Sequence, residues 1–390
     1  MTNRPSERVL ICADWFDPGN RAGGPIRSCA NLVAMLGGTA RLSVLTSDRD
    51  LGAECAYPDI PSNRWVNWRS KAAVCYASSP FRRMTQFVSI LRTSAPKTVY
   101  LNSIFSLPGT LWPLLWVWST RSPVRIVLAP RGMLKAAALN QKSWKKRPLI
   151  KLLHLLGVMQ KVMFHATSED EIAEIRAAFG DVRIRQISNV PCVPVKSLVE
   201  RQKQTGAAVL TFVGRVHPTK NLLWLIQAMR TVTAECRLIV IGPIQDQAYY
   251  QQCRDRIKQL PSTVTVDFVG VKPEQEVRGL VTDSDAMILP TLGENFGHAI
   301  FEAFASGTPV ITSDRTIWRN LVEQQAGWDL SLDQPEAFAT AIGDIAAMNQ
   351  TVHHAWRQGA LDVAHRFLQH KELILEYQSL FFEDLNVEVE

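Results

Sequence analysis

The stretch SDAMILPTLGENFGHAIFEAFASGTPVITSD, residues 284–314, decides the fold. It opens with a short apolar run that ends in Pro290, the pattern of a buried strand. TLGENFG carries the turn residues of a loop. HAIFEAFAS then shows helical spacing, with Ala299, Ile300, Ala303 and Phe304 on one face. Gly307 stands at the helix stop and Pro309 lies just beyond it. PVITSD is the next strand. Strand, loop, helix and strand in that order make the parallel α/β unit. In such sheets ligands bind in the crevice beyond the carboxyl ends of the strands.

Loop 291–297 and the helix start fall in that crevice. A helix N-terminus near Phe296, Gly297 and His298 offers backbone N–H groups and the positive end of a dipole, which suits an anion such as a diphosphate. Gly297 lets a ligand come close to the backbone. Glu294 lies in the loop and Glu302 inside the helix, too far apart to work as an adjacent acid pair. They can accept hydrogen bonds from hydroxyls at two points of one elongated ligand. On spacing alone, a solvated helix charge and a loop charge explain them equally well.

Outward from this stretch the alternation repeats. Strand patterns recur at RVLICA (8–13), RLSVLTS (41–47), KTVYLNS (97–103), RIVLAPR (125–131), KVMFHATS (161–168) and RIRQISN (183–189). In the second half they recur at AAVLTFVGR (207–215), CRLIVIG (236–242), TVTVDFVG (263–270), DAMILPT (285–291) and TPVITSD (308–314). A helix is expected from about Pro25 to Met35, after a loop holding Gly23 and Gly24. Segment 190–206 is Pro-bearing and then polar, the character of a linker. The expectation is an α/β protein of two doubly wound, Rossmann-like domains facing across a cleft. Residues 1–190 would form the first domain and 191–369 the second, with a helix at about 370–390 packing back on the first.

The chain has 390 residues, enough for two cores. Its seven cysteines are scattered, with no C-x-x-C pair, which fits a reduced, cytoplasmic compartment better than a disulfide or zinc scaffold. No opening signal-peptide pattern is read, and the longest apolar stretch, 106–119, is too short to span a bilayer. The net charge of +7 is unevenly spread. No Asp or Glu occurs between Asp59 and Glu169, an interval that carries 17 Lys and Arg. Such a field favours an anionic partner.

FVGRVHPTKN, within 209–221, places Arg215 and Lys220 in the loop after a strand, a cationic pair suited to a diphosphate. With this motif, LIVIGP, VDFVGVKPEQEV, the stretch 284–314 and the N-terminal AGGPIRSCANLVAML, the chain resembles the family 4 retaining glycosyltransferases of GT-B architecture. The resemblance covers most of the chain and is densest at 207–314.

The resemblance implies a sugar transferred from a nucleotide-diphosphate sugar, with net retention and no protein nucleophile. It implies catalytic roles for Arg215 and Lys220 on the leaving diphosphate and for Glu294 at the transferred sugar. Donor contacts would come from Phe296, Gly297, His298, Glu302 at the ribose, Gly270 and Val271 near the base, and Gly24 closing over the phosphates. Many relatives carry a His where this chain has Arg131 in PRGM; an acceptor contact and a structural strand-end role are both open for it. The acceptor implied is a glycan or lipid-linked precursor of exopolysaccharide or lipopolysaccharide.

No cofactor and no metal are expected, since the cationic pair takes the metal's place. Asp48-x-Asp50 and Asp283-x-Asp285 read as turn or cap residues. Segment 140–164 mixes Trp144 and apolar residues with Lys145, Lys146, Arg147 and Lys151. It reads either as a basic amphipathic helix for an anionic membrane, on the inner face of the cytoplasmic membrane, or as a core helix with a basic edge. Two other functions compete. One is a nucleotide-sugar epimerase of the same architecture. The other is a nucleic-acid- or membrane-binding protein without catalysis, although no nucleic-acid motif is visible.

Overall fold

A computed structural model describes residues 8–135, 139, 143–191, 197–368 and 372–383. Parts of three expected segments therefore lie outside the described residues: the linker at 192–196, the amphipathic segment at 140–142, and the C-terminal helix at 369–371 and 384–390. The chain divides into two compact units, 1–190 with 371–390, and 191–370.

The first unit is built on an eight-stranded sheet of order β3-β4-β2-β1-β5-β6-β7-β8. Its strands are β1 (Arg8–Cys12), β2 (Arg41–Ser47), β3 (Trp65–Trp68), β4 (Ala72–Ala77), β5 (Thr98–Leu101), β6 (Arg125–Leu128), β7 (Val162–Ala166) and β8 (Arg183–Gln186). All pairs are parallel except β3 with β4. Helix α1 (Gly24–Leu36) buries Ile26, Cys29, Leu32 and Val33 on one side of the sheet. Helices α2 (Pro80–Thr93), α3 (Trp112–Thr120), α4 (Ser143–Leu155) and α5 (Glu169–Phe179) share the core on the other side, through Phe87, Leu114, Leu153 and Ile175 among others. Central strand β1 is buried on both faces and reads as a nearly continuous apolar run.

Two strands escape the sequence pattern. β3 and β4 form an antiparallel hairpin whose turn sits on Arg69 and Ser70, at φ 49° and 55°. Left-handed turn positions normally call for Gly or Asn, so the usual hairpin signal is missing. Gly24 is also placed differently from the expectation: it is the first residue of α1, not a loop residue, and the left-handed position is Gly23, at φ 68°.

The second unit carries a six-stranded parallel sheet of order β11-β10-β9-β12-β13-β14. Its strands are β9 (Ala207–Val213), β10 (Glu235–Ile241), β11 (Val264–Gly270), β12 (Ala286–Leu289), β13 (Val310–Ser313) and β14 (Gly327–Leu330). The connecting helices are α6 (Leu222–Ala228), α7 (Gln247–Ile257), α8 (Glu274–Thr282), α9 (His298–Ala305), α10 (Pro335–Ala347) and α11 (Gln350–Leu368). The last helix, α12 (Glu372–Phe382), returns to the first unit, where Tyr377, Leu380 and Phe381 are buried against Tyr100 and its neighbours.

The order of each sheet marks where its site falls. In the second unit the chain winds from β9 outward through β10 and β11, then restarts at β12 and winds the other way. The reversal leaves a crevice beyond the carboxyl ends of β9 and β12. In the first unit the same reversal falls between β1 and β5. At the opposite, amino end of β12, Asp285 is buried. It accepts from the Val209 N–H at 2.7 Å and pairs with Arg201 at 2.9 Å. Asp48 is held by Arg49 and Ser62, and Asp50 accepts from the Asn20 and Arg21 N–H groups.

Candidate active site

The β9–β12 crevice gathers the three residues that the loops after those strands were expected to supply. Arg215 follows β9. Lys220 ends a one-turn helix, Pro218–Lys220, whose start is capped by the His217 side chain accepting from Thr219 N–H at 3.3 Å. Its aliphatic stem lies against Gly214, where an added Cβ would stand 3.5 Å from Lys220 Cγ. Lys220 Nζ pairs with Glu294 Oε1, both side chains being largely buried.

A buried threonine in the crevice floor helps hold that pair. Thr291 is fully buried, with its hydroxyl 3.1 Å from Glu294 Oε1 and 3.2 Å from Thr219 O. Leu292 N–H donates to the same Thr219 carbonyl at 3.0 Å, so the loops after β9 and β12 are tied together. Glu294 N–H donates to Arg315 O at 3.3 Å. Arg215 Nη1 donates to Gln245 Oε1 at 2.7 Å, in the loop after β10. Thr291, Thr219 and Gln245 were not singled out from sequence. The available signal was a polar residue in the loop that follows a buried strand, where in these sheets the crevice lies.

Burial pulls the Arg215 pKa down, and the nearby Glu294 carboxylate opposes the shift. Burial, with Arg215 adding to it, also lowers His217. The crevice thus keeps two cations partly desolvated, with one carboxylate balancing them. In such surroundings an arriving anion gains more than it would in water.

Helix α9 supplies the next part. Gly297 caps it in the left-handed region, φ 77°, and the first intrahelical bond runs from Phe301 N–H to Gly297 O at 3.0 Å. Phe296 is buried, and Trp318 Nε1 donates to its carbonyl at 2.6 Å, which fixes the entry to the helix. His298 is half-buried and begins the helix. Glu302 is also half-buried, four residues further on and so about 6 Å along the axis. Gly270 and Val271 are exposed at the carboxyl end of β11. The crevice edge from β11 to β12 spans three strand spacings, about 14 Å.

Residues 196–361 match the family model of the glycosyl transferases group 1. The match lies within the second unit and covers most of it. The chain is 23% identical over 250 residues to the putative colanic acid biosynthesis glycosyltransferase WcaL of Salmonella typhimurium, covering 56% of this chain and 60% of that one. It therefore spans less than two thirds of that curated relative.

Among solved structures it superposes on sucrose-phosphate synthase from Thermosynechococcus elongatus with a TM-score of 0.71, at 16% identity over 96% of this chain and 98% of that one. It superposes on Anabaena HepE in complex with UDP-glucose with a TM-score of 0.64, at 15% identity over 96% and 99%. At such identities the likeness concerns the fold, and the fold is GT-B: two Rossmann-like units.

Gly24 and Arg131 lie in the first unit. Gly24 is exposed. Arg131, at φ 57° beyond β6, spends its guanidinium inside the unit. Nε donates to Asn102 Oδ1 at 2.7 Å, Nη1 to Asn189 Oδ1, and Nη2 to the Tyr100 hydroxyl at 2.6 Å. Tyr100 lies 2.8 Å from His165 Nδ1, and His165 Nε2 lies 2.9 Å from Ile187 O. The carbonyl can only accept, so the proton sits on Nε2 and Tyr100 donates to Nδ1. Burial, reinforced by Arg131, pushes the His165 pKa down to about 3. Among the described residues no group of three or more His, Cys, Asp or Glu is arranged to hold a metal ion, and no helix is long and apolar enough to cross a membrane.

Proposed function

We propose that the chain is a glycosyltransferase that moves a sugar from a nucleoside-diphosphate sugar to an acceptor hydroxyl, with net retention at the anomeric carbon. The observation that carries this reading is the Arg215–Lys220–Glu294 constellation at the β9–β12 switch point beside the start of α9. The donor diphosphate takes Lys220 and Arg215. Glu294, released from Lys220, accepts from hydroxyls of the transferred sugar. Glu302 takes the ribose hydroxyls, while Gly270 and Val271 border the base. As the anomeric C–O bond breaks, negative charge grows on the diphosphate and the two cations stabilise it, the kind of term that usually dominates such transfers. The departing diphosphate oxygen takes the acceptor proton as the new C–O bond forms. Neither a protein nucleophile nor a metal is assigned a step.

UDP is the first base to try, because UDP-glucose is the ligand of the HepE structure. The WcaL relative supports a surface-polysaccharide precursor as acceptor. Calorimetry with UDP, GDP and ADP in EDTA tests the reading. One nucleoside diphosphate should bind wild type, and Arg215→Met should bind it at least tenfold more weakly. If none binds, with EDTA or with magnesium, the transferase reading falls. An epimerase would instead convert its nucleotide sugar to the epimer without any acceptor, which proton NMR detects.

A membrane contact is favoured by α4. This helix buries Ile150 and Leu153 and turns Trp144, Leu152 and Leu155 outward, at 73%, 51% and 83% exposure, among Lys145, Arg147 and Lys151. The acid-free interval provides the charge for an anionic bilayer. Flotation should follow the anionic-lipid fraction and weaken in Trp144→Ala/Leu155→Ala; flotation indifferent to anionic lipid removes this contact.

A further inference from the structure

The first sheet has a switch point of its own, and a carboxylate stands on it. Asp14 follows β1, opposite the segment that leaves β5. One of its oxygens is fixed from two sides. Arg83 Nη1 donates to Oδ1 at 3.1 Å, and the Ser106 hydroxyl donates to the same atom. Arg83 Nη2 also reaches the Asp14 carbonyl at 3.3 Å. Close packing surrounds this end. A Cβ at Gly109, in the π-helical turn Leu107–Leu111, would lie 3.0 Å from Asp14 Oδ1 and 2.7 Å from Ser106 Oγ.

The other oxygen is different. Oδ2 has no hydrogen-bond partner among the described residues, and the Asp14 side chain keeps 21% exposure where that of Arg83 keeps 7%. Arg83 Nε is buried without a partner among the described residues. An ion pair meant only to tie α2 to β1 explains Oδ1. It does not explain why the carboxylate is oriented by two donors and then left half-used at the mouth of the crevice. Binding sites have this character: a few polar groups held in one direction by packed neighbours.

We propose that Asp14 Oδ2 accepts a hydrogen bond from a sugar hydroxyl and so selects the acceptor. Its role toward an acceptor rests on the glycosyl transfer proposed above. The ligand class is a neutral, polyhydroxylated ring, because the outward atom is a charged hydrogen-bond acceptor and would repel an anion. Asp14 is a specificity residue in this reading, and no covalent step passes through it.

Asp14→Asn separates the two roles. Its amide oxygen still accepts from Arg83 and Ser106, while the outward atom changes from acceptor to donor. The probes are the methyl glycosides of glucose, galactose and mannose, read by saturation-transfer NMR on wild type and variant, with UDP calorimetry on the same samples. At least one glycoside should bind wild type and lose tenfold or more in Asp14→Asn, with UDP affinity within twofold and Tm within about 2 °C. If the amide variant melts much lower, Asp14→Glu keeps the charge but moves the oxygen, and the same tenfold loss is expected.

Glycoside binding within twofold in both variants, or no glycoside bound by wild type, overturns the proposal. If the glycoside difference stands while no nucleoside diphosphate binds, the sugar site is retained and the transferase reading is the part that fails. If UDP binds and the glycoside difference is missing, Asp14 alone is refuted.

Discussion

Replacing Glu294 by Gln separates the two tasks proposed for its crevice, diphosphate binding and sugar transfer. The Lys220–Glu294 side chains keep 19% and 15% exposure. Unit charges about 4 Å apart at an effective dielectric of about 20 attract by roughly 4 kcal/mol. Desolvation of both groups cancels much of that, leaving about 1–2 kcal/mol. A diphosphate that takes Lys220 must give up this pair and sit beside a carboxylate. Glu294→Gln keeps an oxygen for the Thr291 hydroxyl, 3.1 Å away in wild type, and removes the competing charge. UDP should therefore bind about tenfold more tightly to the variant, a gain of about 1.4 kcal/mol. With Glu294 meeting the transferred sugar as proposed, donor turnover should go the other way, because the sugar would lose a charged hydrogen-bond acceptor where it reacts. UDP release from UDP-glucose should fall by roughly 10²–10³. The assays are calorimetry with UDP in EDTA and a coupled UDP-release assay on the same preparation. UDP bound more weakly than by wild type, or turnover within twofold of it, would refute the argument.

Two further outcomes test how the units are held. Gly242 lies at φ 143°, and a Cβ there would stand 2.1 Å from Gly214 O, beside Arg215. Gly242→Ala should cost about 3 kcal/mol from overpacking and backbone strain, visible as a Tm several degrees lower; a Tm within 1 °C would contradict it. His165, with its pKa pushed down to about 3, stays neutral in the folded chain while the unfolded chain takes a proton below about 6.5. Its contribution is present at neutral pH and is lost at about 1.4 kcal/mol per unit as pH falls from 6.5 toward 3. Ring nitrogen shifts of a single Nε2–H tautomer, unchanged from pH 8 to 5, are expected; a titration near pH 6 would rule it out.

The second unit was legible because its signals are local. β9 to β13 are apolar runs bounded by Gly, Pro and Asp, and the GENFG loop names its own turn. β14 escaped because GWDL is four residues long and begins with Gly, which reads as a turn. β3 and β4 escaped because their turn residues are Arg69 and Ser70. Residues whose meaning depends on distant partners were illegible in principle. Arg131 looks like a crevice cation until Asn102, Asn189 and Tyr100 are seen to engage its guanidinium. Asp14 looks like an ordinary strand-end residue until Arg83 and Ser106, far along the chain, orient it.

The carboxyl edge of the second sheet is unevenly loaded, and this bears on how the protein can change. At the β9 end, Gly214 and Gly242 are locked against each other, and the Lys220 stem packs on the same spot. At the β11 end, Gly270 has no heavy atom within 4 Å of where a Cβ would stand, and Val271 is exposed. A substitution at Val271 therefore carries little structural penalty, while one at Gly242 carries a large one. Variation should accumulate at the β11 end. If the proposed donor site is right, a lineage could revise its choice of nucleobase there, one exposed residue at a time, without disturbing the proposed diphosphate clamp.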